Sequence, residues 1–450
     1  MIEQIWRAAG RLLPLIAGFA LVHVALVALA LHGPGYPLGD VDIVYLHWAQ
    51  GIASNTVLVG ITADFVYPIL AAVPIVAALA FGPENYTATW LALVALCNVA
   101  VFALLLRRIV RATGTGRYGE AADGAMTARR WYRVAWWWLV FLLLLGPVAL
   151  GRIDGVTAPL VILALLGAAE RPVLAAALLT AATWIKVWPA AVIAALLVAS
   201  AQRARVFVVA AATSLVIMLA AIVGSIARGS GAHVLSFITE QSGRGVQVES
   251  PLAGFWMWRA ALGDPAVAVY YDTEILTYQV SGPGTQLASD VMTPLLGLVA
   301  VAVLLLGVLA HRRGAPMAAL LPTLSLALVL VLILVNKVGS PQFITWVAAP
   351  IMLGLVRAPR RWCLPASLAL VLAGLTQLIY PVFYNAVLAA EPGMLIVLTA
   401  RNLLEVALLA WALGQIVLLV RSGHPAGAAG DPSRRDDHPP ARNDPEYNYP

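Results

Sequence analysis

The sequence predicts an all-α fold, a polytopic transmembrane helical bundle of about twelve spans, and three observations predict it. Of the 450 residues, 61% are hydrophobic and 11% charged, with a mean hydropathy of +0.88, a balance that soluble domains do not have. Apolar runs recur along nearly the whole length. Cations crowd into alternate connections between those runs, as in membrane chains whose basic loops stay in the cytoplasm.

The first run, 14–31, carries no small-residue cleavage signal and is followed by many others, so it reads as a retained helix and not a secretory leader. Spans are expected at 12–32, 86–106, 134–150, 156–169, 172–185, 187–201, 205–227, 289–310, 316–335, 343–357, 363–381 and 394–420. An even number of crossings places both termini on one side. The connections on that side hold seventeen arginines, among them Arg107, Arg108, Arg129, Arg130, Arg312 and Arg313, against four acids. The opposite side holds six cations against twelve acids, so the terminal side is expected to be cytoplasmic.

This parity requires that 65–82, "FVYPILAAVPIVAALAFG", not cross, and its length and two prolines suit an interfacial or re-entrant segment. Several spans are too short for a bilayer core of about 30 Å, the pair meeting at "TWIKVWP" most clearly. Short helices leave irregular backbone at membrane depth, which is tolerated beside a protein-lined or water-filled cavity. A hollow open to the outside is therefore expected. The expected organisation is one transmembrane unit, 1–421, with external loops 33–85 and 228–288. A Pro- and Gly-rich, mixed-charge stretch, 422–450, is expected to be a disordered cytoplasmic tail.

Composition also excludes. The two cysteines, Cys97 and Cys363, lie in or beside apolar runs and provide neither a disulfide framework nor a thiolate metal site. No Walker loop and no Gly-x-Ser-x-Gly elbow is present, so ATPase and hydrolase readings lose ground. The basic pI belongs to the cytoplasmic loops and implies no nucleic acid. No metal and no cofactor are expected, and no inverted repeat of the transporter kind is visible.

The polar residues that interrupt the apolar pattern are the candidate site. "GDVDIVYLHW" puts Asp40 and Asp42 in the first external loop, with Tyr45 and His47 just beyond. A carboxylate in a partly dry site can take a proton from a hydroxyl. On an α-helix Asp42 would share a face with Tyr45, and Asp40 with Val44, so one acid would face the hollow and the other would orient it. The chain has only two lysines, Lys186 and Lys337, both on the external side among apolar residues. As compact point charges they suit a lipid phosphate, and as snorkelling anchors they would be structural. "GRIDGV" supplies Arg152 and Asp154, readable equally as a turn-capping pair. "SGRGVQVESP" gathers Arg244, Gln247 and Glu249, its glycines letting an anion approach backbone and guanidinium together. "NKVGSPQF" sets Asn336, Lys337 and Gln342 at a break between spans, where polar groups should line a cavity. Arg401 and Glu405, four apart in the last span, read as a structural ion pair, and His23 as a core histidine.

With these residues placed, the chain resembles glycosyltransferase family 87, the polyprenol-phosphate-mannose-dependent mannosyltransferases of actinobacteria, within the GT-C superfamily. The resemblance rests on "GDVDIVYLHWA", "FVYPILAAVP", "GRIDGVTAPLVILAL", "TWIKVWPAAV", "GRGVQVESP" and "NKVGSPQFITW", taken in order. The chain departs from the family at Tyr67-Pro68-Ile69, where relatives often have a second proline. What the resemblance implies is transfer of mannose, with inversion, from a polyprenyl phosphate to a glycolipid such as a phosphatidylinositol mannoside. It implies a plasma-membrane enzyme with its active site on the extracytoplasmic face. Asp40 or Asp42 would be the base, Lys186, Arg244 and Lys337 would hold the departing phosphate, and Tyr45, His47, Tyr67, Arg152, Asp154, Gln247, Glu249, Asn336 and Gln342 would bind substrate. The rival readings are a secondary transporter or lipid flippase, and an arabinofuranosyltransferase with the same kind of donor.

Overall fold

The computed structural model describes residues 2–114, 121–231 and 233–422. The predicted tail beyond Ser422, the charges Arg117 and Glu120, and the side chains of Glu3, Arg7, Arg11 and Asp123 lie outside the described residues. Within them the fold is the expected all-α bundle. Each of the twelve predicted spans is helical, but they fall into two classes.

Eight helices are long and apolar enough to cross a membrane: Leu12–His32, Pro83–Thr113, Gly124–Ala149, Arg203–Ala227, Thr285–Arg312, Met317–Leu334, Pro359–Val382 and Pro392–Ser422. The other four predicted spans are helices of 14, 12, 11 and 10 residues, Asp154–Gly167, Pro172–Thr183, Pro189–Ala199 and Ala348–Arg357. At 1.5 Å per residue they extend only about 15–21 Å, roughly half to two-thirds of a bilayer core. The stretch 65–82 holds a three-residue 3-10 turn and the six-residue helix Ala72–Ala77, too short to cross.

Prolines fix where the short helices begin. Pro172 and Pro189 stand at first-turn positions, where the missing N–H is no loss and the fixed φ suits the helix. The three helices Asp154–Gly167, Pro172–Thr183 and Pro189–Ala199 pack in sequence, and the turn 150–154 that leads into them is buried throughout. Met317–Leu334 is the centre of the bundle: 72% of its apolar window is buried, and it packs on Pro189–Ala199, Thr285–Arg312, Ala348–Arg357 and Pro392–Ser422. Arg203–Ala227 and Thr285–Arg312, at 11% buried, form its outer wall.

The loop 228–288 folds on itself as a small antiparallel sheet. Its strands are β1 (Val246–Gln247), β2 (Ala268–Asp272) and β3 (Thr277–Ser281), in the order β1-β3-β2, with Val246 opposite Val280 and Tyr271 opposite Tyr278. The sheet sits on a second hydrophobic cluster around Val246, Met257, Ile379 and Leu398, separate from the main bundle core. At the opposite, arginine-rich end, Arg108 grips both oxygens of Glu170 and covers the Trp131 ring at 5.6 Å, tying two basic connections together.

Candidate active site

A cavity of about 670 Å³ opens at the acid-rich end, and apart from Tyr380 and Pro381, at the end of the expected span 363–381, its lining comes from the connections that charge patterning assigned to that end. Its walls are 34–48, 66–67, Arg152, 240–249, the β2–β3 hairpin tip, 339–342 and 380–388.

The first wall contains the acid pair, and its backbone decides which acid faces inward. Asp40–Tyr45 is a single turn of π-helix, not α-helix. With hydrogen bonds from i to i+5, the wider turn brings Asp40 onto the face of Val44 and Tyr45 and rotates Asp42 away. Asp40 lines the cavity and Asp42 does not. Asp42 instead accepts hydrogen bonds from the Tyr36 hydroxyl, at 2.8 Å, and from Thr87. The expected α-helical face, with Asp42 beside Tyr45, is thus corrected by the local helix type.

Arg152 orients Asp40. The helix Ala121–Leu145 stops at Gly146, whose φ of +71° turns the chain, and any Cβ there would strike Gln377. The turn that follows delivers Arg152 to the cavity wall, with Nε 3.4 Å from an Asp40 oxygen. Its other nitrogens donate to the carbonyls of Pro37 and Gly151, each at 3.0 Å, and to the Tyr380 hydroxyl at 3.0 Å. Burial alone would weaken the guanidinium's hold on its proton. Asp40 first, then Tyr380 and Tyr45, more than offset that and hold it above its ordinary range. The Tyr45 phenol is pushed well up, chiefly by burial, and so keeps its proton. Its oxygen accepts from the Ile153 N–H at 3.2 Å and lies 3.4 Å from the Tyr67 hydroxyl. Arg152 and Asp154 therefore do not cap one turn together. Asp154 is fully buried beneath the cavity, where it accepts from Lys186 Nζ at 2.7 Å and Trp346 Nε1 at 2.6 Å.

Neither lysine lines the cavity. Lys186 lies under its floor, 5.5 Å from the ring centres of both Tyr67 and Phe343. Lys337 is buried, and its Nζ donates to Ser289 Oγ at 3.1 Å. The expectation that both ammonium groups share the hollow with the acids gives way to burial of one against a carboxylate and of the other against a hydroxyl. Arg244 remains as the cation on the wall that forms no ion pair among the described residues. Burial lowers its pKa, with Tyr67 and then Glu240 acting against that.

Gln247, Glu249 and Gln342 line the cavity, whereas Asn336 and His47 do not. Asn336 closes the end of the central helix, its side chain donating to the Leu332 carbonyl and accepting from the Val338 N–H. His47 is exposed on the short helix Leu46–Ala53. Gln247 and Glu249 are held by the neighbouring segment. Gln247 N–H donates to the Lys337 carbonyl at 3.0 Å, and Gly339 approaches so closely that a Cβ would lie 2.2 Å from the Ser250 nitrogen.

Arg401 does more than the i,i+4 pairing suggested. Besides Glu405, at 3.7 Å, it donates to the Glu249 carbonyl at 2.6 Å and to the Glu249 carboxylate at 3.4 Å. Burial pushes the Glu249 carboxyl up to about 7, with Arg401 and then Arg152 opposing. The folded state therefore holds this proton more tightly than the unfolded chain. The stability that the proton contributes is complete at acid pH and is lost as pH rises toward about 7. Glu249→Gln is expected to flatten this decline by on the order of 3 kcal/mol between about pH 5 and pH 8. Thermal unfolding in detergent at the two pH values, wild type against variant, measures it.

The 380–388 wall escaped sequence reasoning. Tyr380 holds Arg152, Tyr384 meets the rings of Tyr380 at 5.0 Å and Tyr278 at 5.9 Å, and Asn385 lies alongside. The signal available was "LIYPVFYNA", a cluster of aromatic and polar residues interrupting an apolar run. Glu240 and Glu274 also reach the cavity, and nothing in their local pattern marked them.

Fold and site together define a polytopic helical membrane protein whose half-length helices support a polar, acid-bearing hollow at one end of the bundle. The sequence model of glycosyltransferase family 87 matches residues 65–334, more than half of the chain, and the chain belongs to that family. It is thereby a membrane glycosyltransferase. The matched region includes Tyr67, Arg152, Asp154, Lys186, Arg244, Gln247 and Glu249, while Asp40, Asp42, Lys337 and Gln342 fall outside it. No curated protein and no solved structure matches the chain.

Proposed function

We propose that this chain transfers a sugar, mannose by resemblance, from a polyprenyl phosphate to the hydroxyl of a glycolipid such as a phosphatidylinositol mannoside, with inversion at C1. Residues 1–421 form the catalytic unit, and the hollow faces the extracytoplasmic side of the plasma membrane. The observation that carries the reading is that the Asp40 carboxylate and the Arg244 guanidinium, which forms no ion pair among the described residues, line the same cavity.

A sugar phosphate ester brings its own leaving group. The protein has to place an acceptor oxygen behind C1, remove its proton and stabilise the departing phosphate. Asp40 takes the acceptor's proton as the new C1–O bond forms. The old C1–O bond breaks, and its electron pair leaves on the phosphate, against Arg244. Arg152, itself held by the Tyr380 hydroxyl, keeps Asp40 in place, so Arg152 is a positioning residue. The charge pattern favours a monophosphate donor. Among the described residues four acids, Asp40, Glu240, Glu249 and Glu274, and two arginines line the hollow, and Arg152 is already paired to Asp40. That leaves one cation for the donor, too few for a diphosphate without added metal.

Membranes containing the protein, given labelled polyprenyl-phosphate mannose, the arabinofuranose analogue and a panel of glycolipid acceptors, test donor, sugar and acceptor together. Product from the mannose donor supports the proposal, product from the arabinose donor alone reassigns the sugar, and no product from either removes it. Arg244→Ala is expected to lower the transfer rate about 10²- to 10³-fold, the usual loss of one preorganised charge contact, while Tm in detergent stays near the wild-type value.

A further inference from the structure

Two buried glutamines on the cavity wall have side-chain atoms that nothing among the described residues satisfies. Gln247 is 4% exposed and Gln342 8% exposed, and both line the hollow. Gln247 Nε2 and Gln342 Oε1 are buried without a hydrogen-bond partner among the described residues, as is Arg244 Nε a short way along the same wall. Buried amides of this kind are normally satisfied, and leaving them open costs free energy. Their backbones are fixed from several sides. Gln247 is paired in register with Gln279 in the sheet, its N–H donates to Lys337, and its carbonyl accepts from Ser250 Oγ at 2.8 Å. Gln342 sits in the 3-10 helix Pro341–Val347, with its carbonyl accepting from Thr345 Oγ1 at 2.7 Å.

The chemistry of an amide narrows what it awaits. A phosphate offers acceptors only and can satisfy Arg244, but it repels an amide oxygen. A sugar hydroxyl both donates and accepts, so vicinal hydroxyls can satisfy both ends of an amide whichever way the amide is turned. We infer that Gln247 and Gln342 read the ring hydroxyls of the transferred sugar while Arg244 holds its phosphate, which makes the two glutamines the specificity-determining residues of the donor subsite. The inference rests on the proposed transfer reaction and adds to it the residues that choose the sugar.

A set of polyprenyl-phosphate mannose donors, each lacking one hydroxyl, provides the test. Wild type is expected to lose about 10-fold or more in kcat/KM with the donor lacking a hydroxyl that is read. Gln247→Ala and Gln342→Ala are each expected to lose a similar factor with intact donor and to show no further loss with the matching deoxy donor. Gln342→Glu, which keeps the shape and the acceptor but not the donor, guards against misfolding, and each variant is compared with wild type by size exclusion and Tm in detergent. If the folded variants discriminate among the deoxy donors as wild type does, this inference falls alone. If wild type transfers from none of the donors, the proposed reaction falls and this inference with it.

Discussion

Asp40→Asn is expected to lower sugar transfer about 10²- to 10⁴-fold, the range that a positioned general base contributes, without unfolding the protein. The amide keeps the size and the hydrogen-bonding oxygen of the carboxylate but cannot accept the acceptor's proton. Little stability should be lost, because the pair with Arg152 is 3.4 Å long and 37% of the Asp40 side chain is exposed. Long pairs with one partly exposed member contribute about 1 kcal/mol or less, and the buried Arg152 keeps its hydrogen bonds to the Pro37 and Gly151 carbonyls and to the Tyr380 hydroxyl. The control is its near neighbour. Asp42→Asn can keep its contacts with Tyr36 and Thr87, lies off the cavity, and should retain activity within about 10-fold. Initial rates in vesicles at saturating acceptor, with expression and Tm as folding checks, separate the two. Equal activity of Asp40→Asn and wild type, or collapse in Asp42→Asn alone, reassigns the base.

The contrast between these neighbours shows how much the sequence could carry. The bundle was legible because apolar runs and arginine placement answer to the bilayer directly. The grouping of the hollow's segments was legible because loops on one side of a membrane must gather at one end. Which helix is central was not: Met317–Leu334 and Thr285–Arg312 have the same mean hydropathy, 2.6, although the first is 72% and the second 11% buried. Lipid and protein interior are alike apolar, so hydropathy cannot tell them apart. The inward acid was hidden for a different reason, since one π-turn changes which residues share a face, and no residue type in "DVDIVY" demands it. Arg401 was half legible: Glu405 is a neighbour by helical spacing, but Glu249 comes from 152 residues away.

The lysines are the hardest case, and they yield the second large effect. Lys186→Ala is expected to destabilise the protein by about 3–5 kcal/mol, because it leaves a buried carboxylate without its counter-charge. Asp154 is fully buried, and the partner left to it would be Trp346 Nε1, a neutral donor. Lys186→Met combined with Asp154→Asn removes both charges, keeps an acceptor for Trp346, and should recover most of that loss, since well-packed neutral replacements of buried pairs are often tolerated. The double variant also separates the structural role that the Asp154 contact gives Lys186 from the phosphate-binding role that the sequence suggested. A lysine that only neutralises Asp154 beneath the Tyr67 floor leaves transfer by the double variant within about 10-fold of wild type, whereas a lysine that reaches the donor phosphate leaves a stable protein that has lost about 10²- to 10³-fold in rate. Thermal unfolding of the two variants, set beside their initial rates on polyprenyl-phosphate mannose, decides between them. Burial of the pair favours the first outcome, because an ammonium 2.7 Å from a fully buried carboxylate has little charge left to offer an anion above it.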